Sequence, residues 1–91
     1  MLRAHGDSPM IELNEAVAIA MVEGPREGLR RLDTLATRGL LQEHHLYWSS
    51  RGELEHRSNL RGDARRSLER AIELVSNEAE RRFLTKRIAE M

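Results

Sequence analysis

Cysteine is absent from this chain of 91 residues, and its absence excludes disulfide bonds, thiolate metal sites and cysteine nucleophiles. Aromatic residues are scarce too: there is one Phe, one Tyr and one Trp, and no alternating run of β-branched residues predicts a strand. No stretch approaches the roughly 20 apolar residues of a membrane span, and the N-terminus lacks the apolar core of a signal peptide. Together these absences predict a cytoplasmic all-α protein that makes no membrane contact.

An excess of charge of one sign is also missing, because 15 Lys and Arg residues balance 15 Asp and Glu residues. A nucleic-acid-binding domain normally has a basic excess, since phosphate neutralisation supplies most of its affinity. We therefore do not expect direct nucleic-acid binding. The charged fraction of 33% and the hydrophobic fraction of 40% are typical of a folded chain, which at this length forms one domain.

Helix signals recur along most of the chain. Ser8-Pro9 and Gly24-Pro25 each place a proline at the first position of a helix, which predicts helices over 9–23 and 25–37. A third helix is predicted from Leu41 to Ser58, a fourth after a cap at Asp63 or Gly62, and a fifth after a cap at Ser76 or Asn77. We therefore predict a five-helix domain over 8–91, preceded by a flexible segment over 1–7.

The spacing of small and large residues repeats. Gly28-x₃-Leu32-x₂-Leu35 returns as Ala64-x₃-Leu68-x₂-Ala71, and the interval is close to the roughly 34-residue period of tetratricopeptide repeats. We predict antiparallel helical hairpins in a degenerate, right-handed tetratricopeptide-like stack. Its predicted structural core is Trp48, Gly52, Ala64, Leu68, Ala71, Phe83 and Leu84. Arg51 and Glu55 replace the usual Leu and Tyr of the repeat, so a generic bundle of helical hairpins stays open as the alternative.

The first helix is apolar around almost its whole circumference, with four polar exceptions at Glu12, Asn14, Glu15 and Glu23. A helix of this kind is buried on two sides. A helix at the edge of a stack has only one covered side, so a missing domain or a second copy should cover the other. The predicted interaction surface consists of Met10, Leu13, Val17 and Met21, while Ala16, Ile19 and Ala20 would pack on the second helix. The alternative is a first helix wrapped by the other four.

Catalytic and metal-binding patterns are weak. Glu53-x-x-His56 has the spacing of a bundle di-iron ligand pair, but no second copy exists. His44 and His45 are adjacent, and adjacent side chains on a helix point about 100° apart. The sequence has no glycine-rich phosphate loop and no nucleophile elbow. We predict a protein that is not an enzyme and has no catalytic residue, metal or cofactor.

Two segments carry a resemblance to a known family. They are SPMIELNEAVAIA at 8–20, followed by Glu-Gly-Pro at 23–25, and NEAERRFL at 77–84. Over 8–91 the chain resembles the C-terminal tetratricopeptide-like extension of bacterial extracytoplasmic-function sigma factors. The resemblance implies a module that regulates transcription initiation through protein contacts, with an adjoining sigma-factor region or RNA polymerase as partner. The DNA- and polymerase-binding sigma regions are missing from these residues, so we expect an excised domain or a short stand-alone relative.

Three functions therefore remain open. The first is a non-catalytic protein-interaction module, which the resemblance and the helical pattern both favour. The second is a small nucleic-acid or polymerase-associated binder that uses the arginine-rich fourth and fifth helices. The third is a purely oligomerising structural module, in which the first helix forms a homodimer.

Overall fold

The computed structural model describes residues 9–39 and 41–91, and these residues form an all-α fold. The helices are α1 (Pro9–Glu23), α2 (Pro25–Thr37), α3 (His45–Arg57), α4 (Arg61–Leu74) and α5 (Glu78–Ala89). The predicted flexible segment over 1–7 and the predicted cap at Ser8 lie outside the described residues. The prediction of five helices is confirmed.

The first two helices begin at their prolines, as predicted. Gly24 alone separates them, at a φ of 104° that L side chains rarely adopt. The third helix begins at His45 rather than Leu41, because the His44 side chain accepts a hydrogen bond from the Leu46 backbone N–H and caps it there.

The boundaries of the last two helices follow from turn chemistry. Asn59 takes the left-handed conformation, with φ of 65°, and it lets the chain reverse after α3. The fourth helix begins at Arg61, so the predicted cap at Asp63 or Gly62 is wrong and Asp63 lies in the first turn. The Asn77 cap is confirmed, since its side-chain oxygen accepts a hydrogen bond from the Glu80 N–H.

The helices pack as antiparallel hairpins in chain order. In the first hairpin the start of α1 meets the end of α2, where Glu12 pairs with Arg38 at 2.6 Å. In the second, Ser67 of α4 donates to Glu55 near the end of α3. The last helix runs parallel to α3. Its first turn meets the start of α3, where His45 lies near Glu80, and its Arg87 pairs with Glu53, four residues before the end of α3. Alternate helices that run parallel are the arrangement of a helical-repeat stack.

The core consists of two hydrophobic clusters. Leu13, Ala16, Ala20, Leu29, Leu32, Leu35, Leu41, Tyr47 and Leu54 form the first, and Leu68, Ala71, Val75 and Leu84 form the second. Trp48 is half-buried and packs against both, and its indole N–H donates to the Gln42 carbonyl at 2.8 Å. Trp48 therefore joins the two halves of the core.

One predicted core residue is wrong. The structure buries Gly52, Ala64, Leu68, Ala71 and Leu84. Phe83, in contrast, is 64% exposed. Neighbouring side chains on a helix point about 100° apart, and Leu84 takes the inward position. The sequence offered two large apolar side chains in succession, and only one of them fits the core.

Each hairpin has a glycine at its point of closest approach. A Cβ atom on Gly28 would lie 2.6 Å from the Ala20 Cβ. A Cβ atom on Gly52 would lie 2.8 Å from two side-chain carbons of Leu68. Real Cβ atoms do not approach other atoms this closely. A side chain at either position would therefore force its neighbours to shift, and glycine avoids this because it has no Cβ atom.

Candidate protein-interaction surface

The described structure covers α1 on one side only. Leu13, Ala16 and Ala20 lie on its buried side. At 100° per residue, the opposite side carries Ile11, Glu15, Ala18 and Val22, at spacings of i, i+4, i+7 and i+11. Ile11 is 43% exposed and Val22 is 84% exposed. We call these four residues the α1 face. They form an apolar stripe with one carboxylate, on the side turned away from the other helices.

The predicted interaction surface is misplaced by about a third of the helix circumference. Leu13 belongs to the first core cluster, and Met10 packs against that cluster. Val17 is half-buried, and only Met21 is well exposed, at 68%. Of the residues expected to pack on α2, Ala16 and Ala20 are buried, whereas Ile19 is half-buried. The prediction of two apolar sides agrees with the structure, but the choice of the outer side was wrong.

The surface of α1 is also acidic. Its charged residues are Glu12, Glu15 and Glu23, and the helix contains no basic residue. Glu12 pairs with Arg38, whereas Glu15 and Glu23 have no ion-pair partner among residues 9–39 and 41–91. A partner for the α1 face should therefore combine apolar and basic groups.

The last helix carries such a combination on its outer side. Ala79, Arg82, Phe83 and Lys86 are all exposed and follow each other at i, i+3, i+4 and i+7. We call these four residues the α5 face. Neither Arg82 nor Lys86 has an ion-pair partner within the described part of the chain. Glu78 lies four residues before Arg82, but it bonds Arg81 instead, at 2.8 Å.

Most other cations of the arginine-rich helices are paired with carboxylates. Arg65 lies near Glu69, Arg66 pairs with Asp63, Arg70 pairs with Glu73, and Arg87 makes two hydrogen bonds to Glu53. The hydrogen bonds to Glu53 raise the pKa of Arg87. Charges neutralised in this way leave little positive surface for phosphates.

The two residues that depart from the repeat pattern form a buried polar network. Glu55 is buried, and it accepts hydrogen bonds from Ser67 of α4 at 2.6 Å and from Arg51 at 3.1 Å. Arg51 also bonds Tyr47 Oη at 3.2 Å and pairs with Asp33 of α2 at 2.8 Å. The network therefore links α2, α3 and α4.

Burial acts on the ionisation of this network. It raises the pKa of Tyr47, because the phenolate would be poorly solvated. Burial also works to lower the pKa of Arg51, but the hydrogen bond to Asp33 and the charges around the guanidinium outweigh it and raise that pKa. The arginine stays charged, which suits a residue that satisfies two carboxylates and a hydroxyl.

The histidines do not form a cluster of ligands. His44 lies before α3, so its ring stacks on that of His45 with centroids 5.2 Å apart, rather than pointing away from it. Glu53 of the Glu53-x-x-His56 pair is bound to Arg87. Within 9–39 and 41–91, no three His, Asp or Glu side chains are grouped as they would be around a metal ion. In the same residues, each helix is too short or too polar to cross a membrane.

Comparison with known proteins gives one distant relative. No family model matches the sequence, and no solved structure matches it. An uncharacterised protein of Rhizobium meliloti (strain 1021) is 34% identical over 77 residues, which are 85% of this chain and 18% of that protein. The chain thus spans less than a fifth of the length of this relative. The similar segment is one part of a much longer polypeptide there.

Proposed function

We propose that this chain is a non-catalytic protein-interaction module that acts in the cytoplasm. The exposed α1 face supports this proposal most strongly. Ile11, Ala18 and Val22 place apolar area on the outer side of a helix whose inner side is already packed. Apolar side chains grouped on one surface of a small domain are typical of protein contacts.

The partner follows from the resemblance to the extracytoplasmic-function sigma factor extension. We propose that the module contacts an adjoining sigma-factor region or RNA polymerase, and that it regulates transcription initiation through this contact. In the Rhizobium meliloti relative the similar segment lies within a much longer protein, as an extension domain would. The acidic surface of α1 favours a partner surface that is basic at its rim.

The test measures binding to purified components. RNA polymerase core enzyme and the separate sigma regions from the genome that encodes this chain would be immobilised on a biosensor. We expect the chain to bind one of them, and Val22→Glu to weaken that binding at least tenfold, because a buried unpaired carboxylate is strongly unfavourable. Ser76→Glu adds the same charge at an exposed site between α4 and α5 and should bind like the wild type. Equal binding by both variants would contradict the proposal.

A nucleic-acid binder is the weaker alternative, because most arginines of α4 and α5 are paired with carboxylates. Its test is the affinity for a labelled duplex at low salt, where phosphate contacts are strongest. If the chain binds the duplex at low salt and Arg82→Glu abolishes this binding, the result would favour nucleic-acid binding over protein contacts.

A further inference from the structure

The two ends of the helix stack are complementary in charge. The described helices pack in chain order, so that α1 and α5 are the first and the last of the series. The α1 face combines apolar residues with the carboxylate of Glu15. The α5 face combines Phe83 and Ala79 with two unpaired cations.

We propose that the α1 face of one copy binds the α5 face of a second copy, so that copies of this chain associate end to end. The inference rests on the proposed role of the α1 face as a docking surface, and it names a second occupant for that face beside the proposed polymerase or sigma region. Phe83 would lie over the small side chain of Ala18, between Ile11 and Val22. Arg82 and Lys86 would then face Glu15.

Charge decides against the symmetric arrangement. Two α1 faces in contact would bring together the Glu15 carboxylates of both copies, with no basic residue of α1 between them. Like charges at close range disfavour such a contact, whereas the α5 face supplies cations that no carboxylate of its own copy neutralises. The α5 face is thus the better partner for the α1 face.

The size of the faces sets the strength of the contact. Four residues on each side bury less than the roughly 800 Å² per partner of a standard interface. We expect a dissociation constant on the order of 100 µM, with wide scatter, because area alone does not fix affinity. Since the two faces differ, each copy retains a free face of each kind and the association can continue into short chains.

Complementation between two variants tests the proposal by sedimentation velocity. Val22→Lys blocks the α1 face, because its ammonium group would face Arg82 and Lys86 of the other copy. The double variant Arg82→Glu/Lys86→Glu blocks the α5 face. Each variant alone should remain monomeric at concentrations where the wild type associates. An equimolar mixture should form a dimer and nothing larger, because each variant keeps the one face that the other lacks. Ser76→Lys adds the same charge at an exposed site and should associate like the wild type.

Salt dependence and folding controls complete the test. Association should weaken at least several-fold between about 0.05 M and about 0.5 M salt, because screening removes attraction between opposite charges. Circular dichroism checks that each variant folds, and Ala18→Lys replaces Val22→Lys if the latter does not. A wild type that is monomeric near 1 mM, self-association of either blocked variant, or association that strengthens with salt would overturn the proposal. None of these results bears on binding to polymerase, which the biosensor measures separately.

Discussion

The α1–α2 and α3–α4 hairpins share one antiparallel geometry but differ in what lies between their helices. The first interface is apolar, with Leu13, Ala16 and Ala20 against α2, and its ion pair between Glu12 and Arg38 is at the exposed edge. The second interface encloses a carboxylate, Glu55, together with Ser67 of the facing helix.

The neighbours of each hairpin explain the difference. The third helix packs on α2 and α4 and forms an ion pair with α5, so nearly every side of it is in contact with protein. The first helix contacts mainly α2. A buried polar network links the central helix to its neighbours, whereas the terminal helix leaves an apolar face exposed. The position in the stack thus separates a central hairpin that is packed on most sides from a terminal hairpin that is packed on one.

Trp48→Ala should have the largest effect, because this side chain packs against both core clusters. We expect the free energy of unfolding to fall by about 3 kcal/mol, the lower end of the range for Trp-to-Ala changes, since Trp48 is half-buried. Urea denaturation followed by circular dichroism measures the change. A loss below about 1 kcal/mol would mean that the two hairpins are stabilised independently of Trp48.

Glu55→Ala should rank second, with a loss of about 2 to 3 kcal/mol, because it leaves Ser67 and part of Arg51 without a partner in a buried site. Glu55→Gln keeps a hydrogen-bond acceptor for Ser67, so its free energy of unfolding should fall by less than that of Glu55→Ala. Asp33→Asn changes the exposed end of the same network and should lose under about 1 kcal/mol. Equal losses for all three variants would contradict a role for the buried carboxylate.

The two close-packed glycines compare the hairpins directly. Alanine gains about 1 kcal/mol of helix propensity over glycine. Gly28→Ala should nevertheless destabilise by about 1 to 2 kcal/mol, because its Cβ would meet the Ala20 Cβ and, at 3.1 Å, the Ala16 carbonyl oxygen. Gly52→Ala should destabilise the fold less than Gly28→Ala, since the Leu68 side chain can change its rotamer. Thermal unfolding of both variants decides the order, and a more stable Gly28→Ala would show that α1 moves away from α2 freely.

Phe83→Ala should have the smallest effect on stability, within about 0.5 kcal/mol, because the ring is 64% exposed. The same variant should weaken the end-to-end association several-fold. Leu84→Ala is the matched comparison, because Leu84 is the next residue along the helix and is buried. This variant should lower the free energy of unfolding by about 2 to 3 kcal/mol. Similar losses for the two variants would place Phe83 in the core after all.

The sequence predicted the number of helices and most of their starts, because prolines and capping residues act locally. It did not predict which side of α1 faces outward. A helix that is apolar all round contains no periodicity from which its orientation can be deduced. The orientation is seen only in the structure, which buries Leu13, Ala16 and Ala20. The same ambiguity between two adjacent apolar side chains misplaced Phe83.

The buried network was beyond prediction for a different reason. Arg51 and Glu55 looked like departures from the repeat, since they replace apolar residues of the pattern. Their partners, Asp33 and Ser67, come from two other helices, and no local pattern links such positions. A buried charge is recognisable only when all of its partners are in place.

Hydrogen–deuterium exchange of the chain in the presence of purified polymerase and sigma regions tests the role of the α1 face most directly. Binding at this face should slow exchange of amides within Pro9–Glu23, and exchange in α3 and α4 should stay unchanged. Val22→Glu should remove the protection of α1. Protection confined to α4 or α5, with α1 exchanging as in the free chain, would contradict binding at the α1 face.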